Sequence, residues 1–184
     1  MDFTGLTRSN LDERLRVEAG VDVLAGRAPV IRLVMFDRHR AVLVADARPR
    51  RQDEDWSEPV VELLYLVRTL RPRGFALALP LRGEEVDGPL PRFELRVLTV
   101  ERRLSGVAVE HRGHPFAVSE DGLLVWEPPH RSPTPLGLHA MVRAATQRVA
   151  RRRCPALVAS FLLSEGHRLE VAPSLAPRLT SPAR

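Results

Sequence analysis

The stretch SEPVVELLYLVRTL, from Ser57 to Leu70, constrains the fold more than any other part of the chain. Val60, Leu63, Leu64 and Val67 recur at the i, i+3, i+4, i+7 spacing of a helix that faces a core, and Val61, Leu66 and Leu70 widen that face. Ser57 is placed to cap the start, and Pro59 falls in the first turn, where its missing N–H costs nothing. Pro72 and Gly74 stop the helix. A helix this apolar needs a broad surface to lie against, and the segments around it supply strands.

Val30 to Phe36 (VIRLVMF) and Ala41 to Ala47 (AVLVADA) are rich in branched and apolar residues. The short polar link DRHR between them reads as a β-hairpin turn. Phe75 to Leu81 (FALALPL) reads as a buried strand, with Pro80 marking its end or an edge. Phe93 to Val100 (FELRVLTV) alternates apolar with polar, the pattern of a half-buried strand. Val107 to Glu110, Phe116 to Ser119 and Leu123 to Trp126 are shorter strand candidates. Thr134 to Arg151 reads as a second helix, with Thr134 as cap, Pro135 at the first helical position and Leu138, Met141, Val142, Ala145 and Val149 on one face. Ser9 to Ala19 predicts a short helix. Ala156 to Leu163 (ALVASFLL) and His167 to Val171 predict two further strands.

This order predicts an α+β protein with one mixed, mostly antiparallel sheet and two main helices. It is expected to form a single domain over 1–172, with two ββαβ-like halves at 28–90 and 91–172. The segment 173–184, APSLAPRLTSPAR apart from its first alanine, reads as a mobile tail.

Composition limits the function more than it defines it. The chain has 184 residues, and its 28 basic residues are all arginine, against 23 acidic ones, for a net charge of +5. Isoleucine occurs only at Ile31 and asparagine only at Asn10, the bias of a GC-rich, bacterial genome. The pI of about 10.9 owes much to arginine's high pKa, so it permits an anionic partner without requiring one. Cys154 is the sole cysteine, which excludes an intramolecular disulfide and a cysteine-based zinc cluster. Neither a signal peptide nor an apolar run approaching roughly 20 residues is present, so a cytoplasmic location and no membrane partner are expected.

Chemistry-bearing residues concentrate at Glu110 to Asp121, EHRGHPFAVSED. His111, His114 and Asp121 are the candidate ligands of a metal-dependent hydrolase. Two histidines at i and i+3 converge on a helix, but Gly113 and Pro115 forbid one, so Arg112-Gly113 reads as a turn between strands. Asp121-Gly122 reads as a second turn. Asp37, Asp46 and Glu62 could hold Mg²⁺ only if the fold brought them together with a further acid. Arg143, Arg148, Arg151, Arg152 and Arg153 form a cationic helix end able to grip phosphates. Trp56, just before a helix start, is placed to act as a hydrophobic staple or, if exposed, as an anchor for a partner. No nucleophile elbow, phosphate loop or dinucleotide fingerprint occurs, and no cofactor is expected.

The expected function is therefore a non-catalytic module that binds another protein or assembles with itself, as a homodimer for example. The alternatives are a nucleic-acid-associated protein using the basic helix end 143–153 and a hydrolase built on His111 and His114.

Overall fold

The computed structural model of the chain describes residues 5–27, 30–47, 56–82, 92–147 and 154–180. Its elements run in order α1 (Leu11–Leu24), β1 (Ile31–Asp37), β2 (Arg40–Ala47), α2 (Ser57–Leu70), β3 (Gly74–Arg82), β4 (Arg92–Arg103), β5 (Gly106–Val118), β6 (Leu124–Trp126), β7 (His130–Arg131), α3 (Leu136–Thr146), α4 (Pro155–Ser164), β8 (Arg168–Val171) and α5 (Ala176–Thr180). The strands form one sheet in the order β6-β5-β4-β3-β1-β2-β8, with β7 beside β6 on the same flank of β5. Every pairing is antiparallel. The protein is thus α+β with an antiparallel sheet.

Strand alternation sends side chains to two faces, and both are covered. On one face Ile31, Leu33, Met35, Leu43, Leu77 and Leu98 pack under α2, α3, α4 and α5. On the other, Val34, Phe36, Val44, Ala76, Leu95, Val97 and Phe116 pack under Leu6 and the α1 residues Leu11 and Leu15. This two-sided burial explains the nearly unbroken apolar run of β1, buried from Ile31 to Phe36. Only Arg32 interrupts it, and its guanidinium forms two bonds with Asp46 of β2, Nε to Oδ1 at 2.6 Å and Nη2 to Oδ2 at 2.9 Å.

The helix from Ser57 to Leu70 forms over the predicted residues, and Arg71, in the left-handed region with φ 52°, ends it by donating its N–H to the Val67 carbonyl at 2.9 Å. Pro80 lies inside β3, opposite Leu95 of β4. Pairing of β3 with β1 stops at Ala78, so beyond it one flank of β3 has no β1 partner and tolerates a residue without an N–H.

Three expectations are corrected. Pro155 to Ser164 is helix α4 where a strand over 156–163 was expected. Its buried residues Val158, Ala159 and Leu162 lie on one helical face, Pro155 occupies the first turn, and Val158 is the only β-branched residue. The two short strands around Arg112-Gly113 are one continuous strand, β5, with no turn between them. The stretch 173–180 of the expected tail is docked, with Leu175 and Leu179 buried in the core under α4 and α5. Helix α3 ends at Thr146, and the rest of the predicted span, 148–151, lies outside the described residues.

Candidate functional site

The placement of His111 and His114 follows from strand parity. They sit three residues apart on β5, opposite Leu98 and Leu95 of β4 respectively. Leu98 belongs to the core under α2 and α3, and Leu95 to the core under α1. The two imidazoles therefore project from opposite faces of the sheet and cannot share an ion. Asp121 is exposed in the β5–β6 turn, which Gly122 closes with φ 75°. Among the described residues no three histidine, cysteine or acidic side chains group closely enough to hold a metal ion.

Gly113 is a glycine for a reason other than turn formation. It faces the α2 side, and a Cβ on it would lie 2.6 Å from His130 Cε1 and closer still to the Glu94 carboxylate. The missing side chain lets Glu94 of β4 meet His130 of β7 across the strand, Oε1 to Nε2 at 3.3 Å. Arg96 donates from Nε to the other oxygen of Glu94 at 2.8 Å.

The acids Asp37, Asp46 and Glu62 are kept apart. Asp37 is exposed at the hairpin tip, 3.9 Å from Arg73. Asp46 is bound to Arg32 on the α1 face. Glu62 is buried on α2 and lies 2.6 Å from Nε2 of buried His167, at the entrance to β8. This last pair links residues 105 positions apart, and sequence reasoning missed it. Its one local signal was an acid inside the apolar stripe of α2, which requires a buried partner.

His114 is buried against α1, its Nε2 3.8 Å from Asp12 Oδ2. Neither ring nitrogen has a hydrogen-bond partner among the described residues. Burial pushes its pKa below the ordinary histidine value, with the Asp12 charge opposing. His111 is different: its Nδ1 lies 3.2 Å from the Pro133 carbonyl, while Nε2 is buried with no partner among the described residues.

Trp56 is half-buried and packs on the core under α2. Arg143 is exposed on α3, whereas Arg148, Arg151, Arg152 and Arg153 lie outside the described residues. No described helix is long and apolar enough to cross a membrane. The surface carries apolar groups in two helical stripes. Helix α4 exposes Leu157, Phe161 and Leu163, and α1 exposes Val17, Val21 and Leu24.

Comparison with known proteins adds no relative: no family model, no curated protein and no solved structure matches the chain.

Proposed function

We propose that the protein is a non-catalytic module that works by holding another protein chain, and that a second copy of itself is the partner its surface fits best. The observation that carries this reading is helix α4. Its sequence, PALVASFLLS, has no charged residue from Pro155 to Ser164. A helix that is apolar all round belongs in an interior. Yet only one side of α4 is buried, through Val158, Ala159 and Leu162, while Leu157 remains 71% and Phe161 44% exposed on the other. Ser160 and Ser164 complete that outer face with small uncharged groups, so a copy related by a two-fold axis could pack against it without stranding a charge. The distribution of polar groups supports the same reading. The carboxylates considered as a joint metal or acid–base set stand in separate pairs on both faces and at a hairpin tip.

Light scattering over a range of protein concentrations tests the proposal. The wild-type chain should reach the dimer mass, and Leu157→Glu combined with Phe161→Glu should weaken association at least tenfold while leaving thermal unfolding of the monomer nearly unchanged. A wild-type chain that stays monomeric at all concentrations, or a dimer indifferent to both substitutions, would overturn self-assembly through α4.

A further inference from the structure

Strand β5 is far longer than the strands on its outer flank. There it pairs with β7 at Arg112 and Gly113 and with β6 from Phe116 to Val118. On its inner flank β4 pairs with it all the way back to Gly106. Among the described residues, therefore, no strand covers the outer flank from Val107 to Glu110. The first bond beyond this gap fixes the direction of the backbone groups within it. The His111 carbonyl accepts from the Ser132 N–H across the outer flank at 3.2 Å. Backbone groups two residues apart on a strand point the same way, so the N–H and C=O of Val107 and Val109 also point outward. Such an open edge is a template for one more strand.

Helix α3 makes this edge one wall of a groove of about 430 Å³. Val107 and Val109 line the strand side, and His139, Arg143 and Gln147 line the helix side, with buried Val142 among them. His139, Arg143 and Gln147 are four residues apart, so they form a stripe with a step of about 6 Å along the helix. Side chains on one side of an extended chain recur every ~6.6 Å, close enough to keep step with that stripe.

The stripe has no counter-charge. Among the described residues none of its three side chains has a hydrogen bond or ion pair. Glu110, the acid on the bordering strand, has the opposite parity to the two valines and meets Arg112 at 2.8 Å. All three stripe residues are exposed, and all can donate: Arg143 as a permanent cation, Gln147 through its amide, His139 through a ring N–H in either protonation state.

We infer that this groove takes up an extended acidic segment of another protein as an added strand. The backbone of the segment bonds Val107 and Val109. Paired residues share a face, and Val109 packs toward the core on the α3 side. The residues opposite the two valines therefore carry the carboxylates, at every second position, toward His139, Arg143 and Gln147. A nucleic acid would match the charge but not the edge, since its backbone has no alternating N–H and C=O groups for the valines to bond. The inference goes beyond assembly through α4 and is independent of it, because no α4 residue lines the groove.

Fluorescence anisotropy with a labelled seven-residue peptide of alternating glutamate and threonine tests it. Binding to the wild-type chain should saturate, and the same peptide with glutamine for glutamate should bind at least tenfold more weakly. Methylation of peptide nitrogens separates strand addition from charge attraction. In the added strand the glutamate N–H groups bond β5 and the threonine N–H groups point away. N-methyl groups on the glutamates should therefore weaken binding at least tenfold, and N-methyl groups on the threonines less than threefold. Arg143→Glu, at an exposed position, should weaken binding of the glutamate peptide at least tenfold with the thermal midpoint unchanged. Absence of saturable binding, equal affinity for the glutamate and glutamine peptides, equal sensitivity to the two methylation patterns, or tighter binding of oligothymidylate than of the peptide would each overturn the inference. These four outcomes are read on the wild-type chain, whether it is monomeric or dimeric.

Discussion

On one face of the sheet, four helices close over a core in which Ile31, Leu33, Met35, Leu43, Leu63, Leu66 and Leu77 are fully buried. On the other face, α1 covers Val34, Phe36, Val44 and Val97 with two buried leucines, Leu11 and Leu15, and Leu6 ahead of it. Among the described residues the thick face buries the pair Glu62–His167 beneath α2, and it also carries half-buried Glu94 with Arg96 and exposed His130. The thin face carries two partly exposed pairs, Arg112 with Asp12 and Arg8 with Glu101, and one pair, Arg32 with Asp46, whose arginine is itself buried. A single helix cannot exclude water from the whole width of a sheet, so polar groups near its edges keep partial contact with solvent and tolerate charge. Where several helices overlap, a charge survives only beside its counterpart.

The largest effect that would sharpen this contrast is at His167. Replacing it with alanine removes the buried 2.6 Å contact with Glu62 and leaves a cavity beneath α2, together costing about 3–5 kcal/mol. The double change Glu62→Leu with His167→Phe should recover part of the loss, because an apolar pair of similar size fills the space and leaves neither half of this hydrogen bond unmet. Denaturant unfolding of both single variants and the double variant measures the coupling. If His167→Ala costs no more than a surface substitution, the pair is not sealed and the contrast between the faces fails.

Next is a matched pair of leucines. Leu66 of α2 is 0% exposed and Leu15 of α1 is 2% exposed, so the two lose nearly the same buried area when cut to alanine. Such changes cost about 2–5 kcal/mol, with the spread set by how far the surroundings collapse. Leu66→Ala should fall near the top of that range, since α3 and α4 pin α2 in place. Leu15→Ala should fall near the bottom, since α1 can settle toward the sheet. Equal losses would mean that α1 is held as rigidly as α2.

The third effect depends on pH and belongs to the thin face. His114 lies under α1 with its pKa lowered chiefly by burial, so the folded state binds a proton less readily than the unfolded state, whose histidine titrates near 6.5. Above that pH both states are neutral and stability is undiminished. As pH falls below 6.5 the unfolded state gains protons first, and stability drops until the folded-state pKa is passed. His114→Phe should therefore flatten the acid side of the stability–pH curve while changing little at pH 8. An acid limb equally steep in the variant would show that His114 is not the group responsible.

These contrasts were unevenly legible in the sequence. Helix α2 was readable because its apolar stripe, first-turn proline and following Pro72 agree with one another. The α+β class was readable because strand-like runs alternate with only a few helical ones. Helix α4 was not, since a short run of apolar residues such as ALVASFLL fits a buried strand or a buried helix equally well by periodicity. Arg112-Gly113 imitated a turn because glycine serves close approach as well as tight bends, and here it makes room for the Glu94–His130 contact. His111 and His114 are neighbours in sequence, but strand parity separates them once β5 is known to be continuous. A groove lined by Val60, Leu79, Arg96, His111 and Leu138 draws on α2, β3, β4, β5 and α3, so no local pattern could announce it.

The smallest expected effect sharpens the comparison from outside. Helix α1 is apolar on both sides: Leu11 and Leu15 face the sheet, while Val17, Val21 and Leu24 are each about half exposed. Gly20 draws it close to the sheet edge, since a Cβ there would overlap the Leu124 side chain of β6. If α1 is only the lid of a thin face, its outer residues contribute nothing that serine cannot replace. Val21→Ser should then shift the unfolding free energy by no more than about 0.5 kcal/mol, the usual range for surface substitutions. The midpoint should also be independent of protein concentration relative to wild type. A larger loss that grows with concentration would place a second chain over α1 in solution. The thin face would then be half of a thicker one, completed by a partner through Val17, Val21 and Leu24, and the asymmetry would describe the isolated chain but not its working form.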